Sequence, residues 1–261
     1  MAVNTKVNLS GLTLDNPVIP ASGTYGFGKE YVDFYDINIL GSISIKGTTF
    51  QRRKGNPQPR IAECYSGLIN SVGLENPGME NVIQKELKDL EKIYRKPVIA
   101  NISGFSVEEY VTLAREMDKV DNVGIIEVNI SCPNVDHGGL AFGTNADNVR
   151  ELTKKIKEVT TKPVYMKLSP NVTDIKEIAR AAEEGGADGI SLINTLMGMR
   201  IDINRRRPVI ANKKGGFSGP AIFPVALRMV YEVYEATDLP IIGIGGISSA
   251  EDVIEHLKKQ L

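Results

Sequence analysis

The chain has 261 residues, 42% of them hydrophobic, a formal net charge of -1 and two cysteines. This length and apolar content suffice for one α/β domain with a full core, and the near-neutral charge favours a small-molecule partner over nucleic acid or an anionic membrane. The N-terminus lacks a signal-peptide core, no apolar run is long enough to cross a bilayer, and Cys64 and Cys132 lie in unrelated contexts. These features predict a reducing, cytoplasmic location without a disulfide framework.

The predicted elements alternate between short apolar runs and helical periodicity. Val7 to Leu14 predicts a small hairpin. The seven apolar runs that follow predict parallel strands joined by crossover helices; they are Val18 to Ser22, Ser42 to Lys46, Pro97 to Ser103, Gly124 to Cys132, Pro163 to Ser169, Gly189 to Thr195 and Pro240 to Ile247. Helices are predicted over residues 78–94, 106–119, 145–160, 174–185, 220–236 and 249–260. Ser106 with Glu109 and Ser248 with Glu251 have the capping-box spacing.

These elements predict a single domain, residues 1–261, with an α/β fold of the (β/α)8 TIM-barrel type. It carries an N-terminal hairpin and is one strand short of the eight that a barrel needs. The alternatives are that a short strand elsewhere closes the sheet, that a partner supplies it, or that the sequence is a truncated or divergent copy. The longest predicted irregular segment, Leu196 to Gly219, is expected to be functional or disordered.

The predicted strand ends have a definite chemical character, and reactive groups of α/β barrels collect at such ends. They carry two lysines, several amides, one thiol and pairs of glycines, at Ser22-Gly23, Lys46-Gly47, Asn101, Asn129 with Cys132 and Asn134, Lys167, Asn194-Thr195 and Gly245-Gly246. The set contains no carboxylate pair and no histidine. Paired-carboxylate hydrolysis and a metal centre are therefore disfavoured.

The lysines and asparagines at the predicted strand ends suggest which kind of ligand binds there. Lys46 and Lys167 each end an apolar run, where an ammonium needs a nearby anion to offset desolvation. Snorkelling at the rim is the alternative for either lysine alone, but two with the same placement favour an anionic ligand. Four asparagines could read the N–H and C=O edge of an imide-like ring, although asparagine also caps and turns at strand ends; they are Asn70, Asn129, Asn134 and Asn194.

Two glycine-rich stretches and one cysteine are the remaining candidate functional motifs. Gly245-Gly246 and the stretch Gly215 to Pro220 are candidate phosphate cradles, whereas a strict G-x-G-x-x-G is absent, so a Rossmann site has no support. Cys132 precedes Pro133 and a glycine-rich stretch predicted to form a lid, and its alternative role is that of a buried structural thiol. His137 is interpreted as a solvated loop residue, and Cys64 as structural.

From Val7 to Ile254 the sequence resembles the dihydroorotate dehydrogenase family, the flavin-dependent barrel enzymes of pyrimidine synthesis. The motifs that carry the resemblance are Pro20-Ala21-Ser22-Gly23, Ser44-Ile45-Lys46-Gly47, Asn70 to Gly78, Asn129-Ile130-Ser131-Cys132-Pro133-Asn134, Ile193-Asn194-Thr195 and Gly243 to Ile247. The resemblance implies that FMN lies across the barrel mouth with dihydroorotate stacked on it. It also implies an eighth strand with a Gly-Thr pair at the FMN phosphate, which this sequence lacks.

The resemblance assigns roles residue by residue. Cys132 is the implied catalytic base, which removes a proton from C5 while a hydride leaves C6 for the flavin N5. Lys46 lies between flavin and substrate, and Lys167 stabilises negative charge on the reduced flavin. The implied substrate-binding residues are Lys46, Asn70, Ser71, Val72, Gly73, Leu74, Asn129, Asn194 and Thr195. The implied FMN-binding residues are Ser22, Lys46, Gly47, Asn101, Asn129, Lys167, Ile193, Gly219, Gly245 and Gly246.

A cysteine base is similar to that of the class 1 enzymes, and the stretches 47–63 and 135–139 resemble their NAD-linked, type B catalytic subunit. That type works with a second subunit carrying FAD and a [2Fe-2S] cluster, in a heterotetramer of two catalytic and two electron-transfer chains. Two cysteines cannot hold such a cluster here, which agrees with a separate partner. Arg205-Arg206-Arg207 could aid docking or form a solvated loop. The alternatives are a fumarate-linked homodimer and a truncated, non-catalytic remnant.

Overall fold

The computed structural model describes residues 4–131 and 142–257. The strands, in chain order, are β1 Val7–Leu9, β2 Leu12–Leu14, β3 Ile61–Cys64, β4 Gly67–Asn70, β5 Val98–Ile102, β6 Val123–Asn129, β7 Val164–Lys167, β8 Gly189–Leu192, β9 Leu196–Met199, β10 Ile201–Asp202, β11 Arg207–Pro208, β12 Lys214–Ser218 and β13 Ile241–Gly243. The α-helices are α1 Ser22–Tyr25, α2 Met79–Asn81, α3 Leu87–Glu91, α4 Val107–Asp118, α5 Ala146–Lys157, α6 Ile175–Glu184, α7 Phe223–Tyr234 and α8 Ala250–Leu257, with a π-helical turn, Val82–Glu86, between α2 and α3.

A five-stranded parallel sheet forms the centre of the fold, in the order β13-β8-β7-β6-β5. Strands β5, β7 and β8 are short and buried on both faces, and β6 is almost fully so, as parallel strands covered by helices must be, whereas the edge strand β13 is half-buried. The predicted α/β class, with helices alternating between parallel strands, is confirmed. Among the described residues the sheet does not close into a barrel.

Two of the predicted strands are wrong as regular strands. Ser42 to Lys46 runs along β5 through the single parallel bridge of Ser44 with Ile99. The pairing is interrupted at Lys46, whose N–H donates to the Gly26 carbonyl, and resumes with the bridge of Thr48 with Ile102. Val18 to Ser22 is not a strand, because Pro17 and Pro20 have no N–H to donate and Ser22 begins α1. Its contact with the next segment is the bond from Gly41 N–H to the Val18 carbonyl.

Helix starts agree with the sequence at one of the two predicted caps. The Ser106 hydroxyl accepts from the Glu109 N–H, and α4 begins at the next residue, as predicted. The prediction of Ser248 with Glu251 is wrong by one residue. Since α8 begins at Ala250, Ser249 is the capping residue, and its hydroxyl accepts from the Asp252 N–H while Asp252 accepts from the Ser249 N–H.

The predicted irregular segment Leu196 to Gly219 instead contains the four strands β9 to β12, so the expected irregularity and the alternative of disorder are wrong, while a functional role stays a prediction. β9 and β12 join β3 and β4 in an antiparallel sheet of order β3-β4-β12-β9, and β10 pairs with β11 in a short hairpin. The register sets Gly216 opposite Asn70, so this sheet carries one predicted substrate-binding residue.

The predicted N-terminal hairpin is confirmed and packs under the parallel sheet. Its leucines Leu9 and Leu14 form a small buried cluster with Ile99, Ile125 and Tyr165. A larger core lies between the sheet and its helices. Within the described ranges, no helix is long and apolar enough to span a membrane.

Candidate functional site

A cavity of about 2500 Å³ is lined by the carboxyl ends of the parallel strands and also extends along the edge strand β13, past Ile241 and Pro240, to the hairpin residues Val7 and Leu9. All the described residues that the sequence predicts for the site line it, from nine separate segments of the chain; they are Ser22, Lys46, Gly47, Asn70, Ser71, Val72, Gly73, Leu74, Asn101, Asn129, Lys167, Ile193, Asn194, Thr195, Gly219, Gly245 and Gly246. Two predicted residues, Cys132 and Asn134, lie outside the described residues, as does His137. The structure leads toward Cys132 as far as Ser131, which also lines the cavity.

The two lysines enter the cavity in different electrostatic settings. Lys46 is largely buried, and burial lowers the pKa of its ammonium, opposed by Glu75 and reinforced by Arg60. Within the described part of the chain, its Nζ makes no ion pair. Lys167 is buried and its Nζ lies 3.5 Å from Glu127 Oε2 and 3.4 Å from Ser22 Oγ. Lys46 therefore supplies the uncompensated positive charge.

Two of the predicted asparagines form one hydrogen-bonded unit. Asn194 Nδ2 donates to Asn129 Oδ1 over 3.0 Å, and the same oxygen accepts from the Ser131 N–H. Asn194 Oδ1 accepts from the Thr195 N–H. With both acceptors used inside the protein, the Asn129 amide nitrogen is left as a donor for a ligand.

The loop Ser71 to Leu74 has the geometry of an anion-binding turn. Each of its four carbonyl groups accepts from a group outside it: Ser71 from Asn56 Nδ2, Val72 from Asn56 N, Gly73 from Arg53 Nε and Leu74 from Asn76 Nδ2. Gly73 and Leu74 both have positive φ, 79° and 56°. Among the described residues, the N–H groups of Val72, Gly73 and Leu74 have no acceptor, and such consecutive amides form a concave anion site.

Unpartnered polar atoms mark where a ligand would bind. Asn101 Oδ1, Ser71 Oγ and Ser131 Oγ are buried without a hydrogen-bond partner in the described structure, and all three residues line the cavity. An unsatisfied buried polar group costs about 1–3 kcal/mol, so a polar ligand that meets these atoms gains that energy back.

Only part of the predicted glycine cradles is built as expected. Gly245 and Gly246 have positive φ, 130° and 72°, in the turn after β13. Gly215 and Gly216, by contrast, are strand residues of β12, Gly216 paired with β4 and β9 and Gly215 with β9, so these two glycines form no turn that could cradle a phosphate. Gly219 does lie in a positive-φ turn, and Pro220 takes the first position of the helical turn that follows, as predicted.

Two polar residues that support the site, Glu127 and Asn56, were not predicted from the sequence. Glu127 is 2% exposed inside β6, and its one signal is an acidic residue within an apolar run. Burial alone would raise the pKa of its carboxyl, but the Lys167 ammonium and hydrogen bonds from Asn101 and Ser44 hold the pKa below its ordinary value. Asn56 supports the Ser71–Leu74 loop from a segment without strand or helix, where no periodicity reveals it.

An α/β fold with a cavity that lysines and amides line at the strand ends is the arrangement of an α/β enzyme. The chain belongs to the dihydroorotate dehydrogenase family, whose sequence model matches residues 4–259. It is 58% identical to the dihydroorotate dehydrogenase B (NAD(+)), catalytic subunit, of Bacillus cytotoxicus. The 250 aligned residues are 96% of this chain and 81% of that protein. Proteins of the same name from Bacillus cereus and Bacillus anthracis are 57% identical over the same shares. The chain is thus an oxidoreductase of this family, and the name of its relatives implies a further subunit in those proteins.

Proposed function

We propose that this chain converts (S)-dihydroorotate to orotate in de novo pyrimidine (UMP) biosynthesis, with FMN bound in the cavity as its own cofactor. One observation supports this proposal above the others: the described site residues converge on one cavity. There Lys46 has no ion-pair partner in the described structure, Asn129 and Asn194 are hydrogen-bonded to each other, and three backbone N–H groups have no acceptor among the described residues. Dihydroorotate combines a carboxylate with an imide-containing ring, which these groups complement.

The substrate is held at two ends in this proposal. Its carboxylate accepts from the N–H groups of Val72, Gly73 and Leu74, which face no protein acceptor in the described structure. The ring is read by Asn70, Asn129, Asn194 and Thr195, and the Lys46 ammonium lies between it and the cofactor. This fixed array of donors orients the ring with little reorganisation on binding.

The described residues fit FMN. The buried Asn101 Oδ1 offers an unpaired acceptor, Lys167 offers a buried cation, and the positive-φ glycines Gly245 and Gly246 offer backbone at the late turn where barrels bind phosphate. The residues proposed to hold FMN are Ser22, Lys46, Gly47, Asn101, Asn129, Lys167, Ile193, Gly219, Gly245 and Gly246. When bound, FMN supplies the acceptor for the hydride that leaves C6 of the substrate.

Cys132 is proposed as the base that removes the C5 proton. Its position in the sequence, three residues after Asn129, and the family resemblance support this role. General-base assistance contributes about 10²- to 10⁴-fold to a rate.

We also propose that electrons pass from this chain through a partner subunit with FAD and a [2Fe-2S] cluster to NAD, in a heterotetramer of two chains of each kind. The printed name of the relatives supports the NAD link and a further subunit. The exposed hairpin that carries Arg205, Arg206 and Arg207 is a candidate docking element. A single domain and a cytoplasmic location complete the proposal.

The test is to purify the chain, record its visible spectrum, and assay dihydroorotate oxidation with a dye, with fumarate and with NAD in the presence of its partner. We expect a flavin spectrum, turnover with the dye, and NAD reduction only with the partner. A colourless protein would contradict the FMN proposal, and efficient turnover of fumarate would contradict the NAD link.

A further inference from the structure

At the bottom of the cavity lies a set of buried polar side chains that we name the polar layer, in which Asn101 and Lys167 line the cavity and Ser44 and Glu127 lie behind them. Glu127 is its centre, since its Oε2 accepts from Asn101 Nδ2 at 2.5 Å and from Ser44 Oγ at 3.3 Å and lies 3.5 Å from Lys167 Nζ. Asn101 is fully buried, Glu127 is 2% exposed and Lys167 is 6% exposed. A carboxylate so deep is costly unless every neighbour compensates it.

The strand register explains how Glu127 reaches both of its neighbours. Asn101 on β5 lies opposite Glu127 on β6, and Lys167 on β7 lies opposite Asn129, two residues further along β6. Residues two apart on a strand share a face, so Glu127 lies one layer below Asn129 on the side that opens to the cavity.

Glu127 also fixes which atom Asn101 presents. Because Asn101 Nδ2 is bound to the carboxylate, Oδ1 is turned away from it, and this oxygen is buried with no partner in the described structure. It lies against Gly47, where an added Cβ would be 2.8 Å from Oδ1. Asn101 thus offers an acceptor, and Lys167 a donor, to whatever fills the cavity.

We propose that Glu127 is a positioning residue that holds Lys167 and orients the Asn101 amide for the cofactor, and that its charge sets how strongly Lys167 favours the reduced, more negative flavin. This inference rests on the proposed function. Glu127 touches neither substrate nor cofactor and acts through its two neighbours.

The first experiment needs no flavin and measures the ion pair by denaturant unfolding of the cofactor-free full chain. Glu127→Gln leaves Lys167 buried without its counter-ion, and we expect the unfolding equilibrium constant to rise about 10²- to 10³-fold. In a Lys167→Met background, Glu127→Gln should raise the unfolding equilibrium constant less than about tenfold, because the double variant has no buried ammonium without a counter-ion. Lys46→Met is the matched control background, because Lys46 makes no ion pair with Glu127, and there the full cost should persist.

The second experiment measures the midpoint potential of the flavin-loaded protein. Glu127→Gln should raise the potential, because the uncompensated Lys167 binds the reduced form relatively more tightly, and a tenfold relative change is about 30 mV for a two-electron couple. Glu86→Gln is the control, since it removes the carboxylate of a pair with Lys29 that lies outside the cavity, and it should leave the potential unchanged.

The outcomes separate this inference from the proposed function. An equal cost of Glu127→Gln with and without Lys167, or an unchanged potential in the loaded variant, would overturn the inference even if the enzyme works as proposed. If Glu127→Gln does not fold, comparing Lys167→Met with the double variant still decides, because a large further loss in the double variant overturns the pairing. A wild-type chain that binds no flavin would overturn the proposed function, and the unfolding cycle would still decide whether Glu127 holds Lys167.

Discussion

Asn194 Nδ2 donates a hydrogen bond to Asn129 Oδ1 over 3.0 Å, and this bond joins the segments that leave β8 and β6. The same oxygen accepts from the Ser131 N–H, one residue before Cys132. The pair therefore links two amides proposed to bind the substrate ring to the segment that carries the proposed base.

Asn129→Leu removes that acceptor and leaves two donors without a partner. We expect the KM for dihydroorotate to rise about 10- to 100-fold, the equivalent of 1–3 kcal/mol for unsatisfied buried groups. Steady-state kinetics with a dye acceptor measure the change. Asn129→Asp keeps the acceptor and should fold with the pair intact; an unchanged KM in Asn129→Leu would show that the pair does not shape the substrate site.

Lys46 links ligand binding to the stability of the empty protein. The folded state lowers the pKa of Lys46, so between that lowered pKa and the ordinary value of 10.5 the unfolded chain binds the extra proton. The free energy of unfolding should therefore rise with pH through that window. Lys46→Met should abolish this slope, stabilise the empty protein at neutral pH by on the order of 1 kcal/mol, and lose binding of orotate.

Denaturant unfolding across pH, with orotate titration alongside, measures both effects of Lys46→Met. A variant that is less stable than the wild type at neutral pH, or that binds orotate as well, would contradict the view that the buried ammonium is retained for the ligand.

Gly47 allows its own backbone to lie close to the side chain of Asn101. A Cβ at Gly47 would lie 2.8 Å from Asn101 Oδ1, whereas one at Gly23, also a cavity residue, would meet no protein atom within 4 Å. We expect Gly47→Ala to purify with much less flavin than the wild type, because the buried Asn101 has no room to move. Flavin content after gel filtration measures this, with Gly23→Ala as the control; full flavin occupancy in Gly47→Ala would disprove the steric argument.

The hairpin supports the sheet from below and should affect stability without affecting chemistry. Leu14 is 2% exposed in the small cluster with Leu9, Ile99, Ile125 and Tyr165. Leu14→Ala should lower the free energy of unfolding by about 2–5 kcal/mol through the lost methyl groups and the cavity left behind. Well below the melting temperature, the dihydroorotate KM should be unchanged, and a shifted KM would mean that the hairpin communicates with the site.

Periodicity predicted the parallel strands because each is a short apolar run, and the strand ends then located the cavity residues. The sheet that includes Leu196–Met199 and Lys214–Ser218 escaped prediction because its strands are short, rich in glycine, and paired with β4 across a long separation in sequence. Glu127 and Asn56 escaped for another reason. The role of Glu127 depends on Lys167, and the role of Asn56 depends on Ser71. Both partners lie in other segments of the chain, so no local sequence pattern predicts these contacts.

In the proposed function, this chain oxidises dihydroorotate with its own flavin and uses Cys132 as the base. The most direct measurement is anaerobic mixing of dihydroorotate with the flavin-loaded protein, following the loss of the visible flavin absorbance in a single turnover. The wild type should bleach rapidly, and Cys132→Ala should bleach about 10²- to 10⁴-fold more slowly while binding orotate normally. Bleaching of Cys132→Ala at the wild-type rate would contradict its role as the base, and a wild-type protein that is not bleached at all would contradict dihydroorotate oxidation by this flavin.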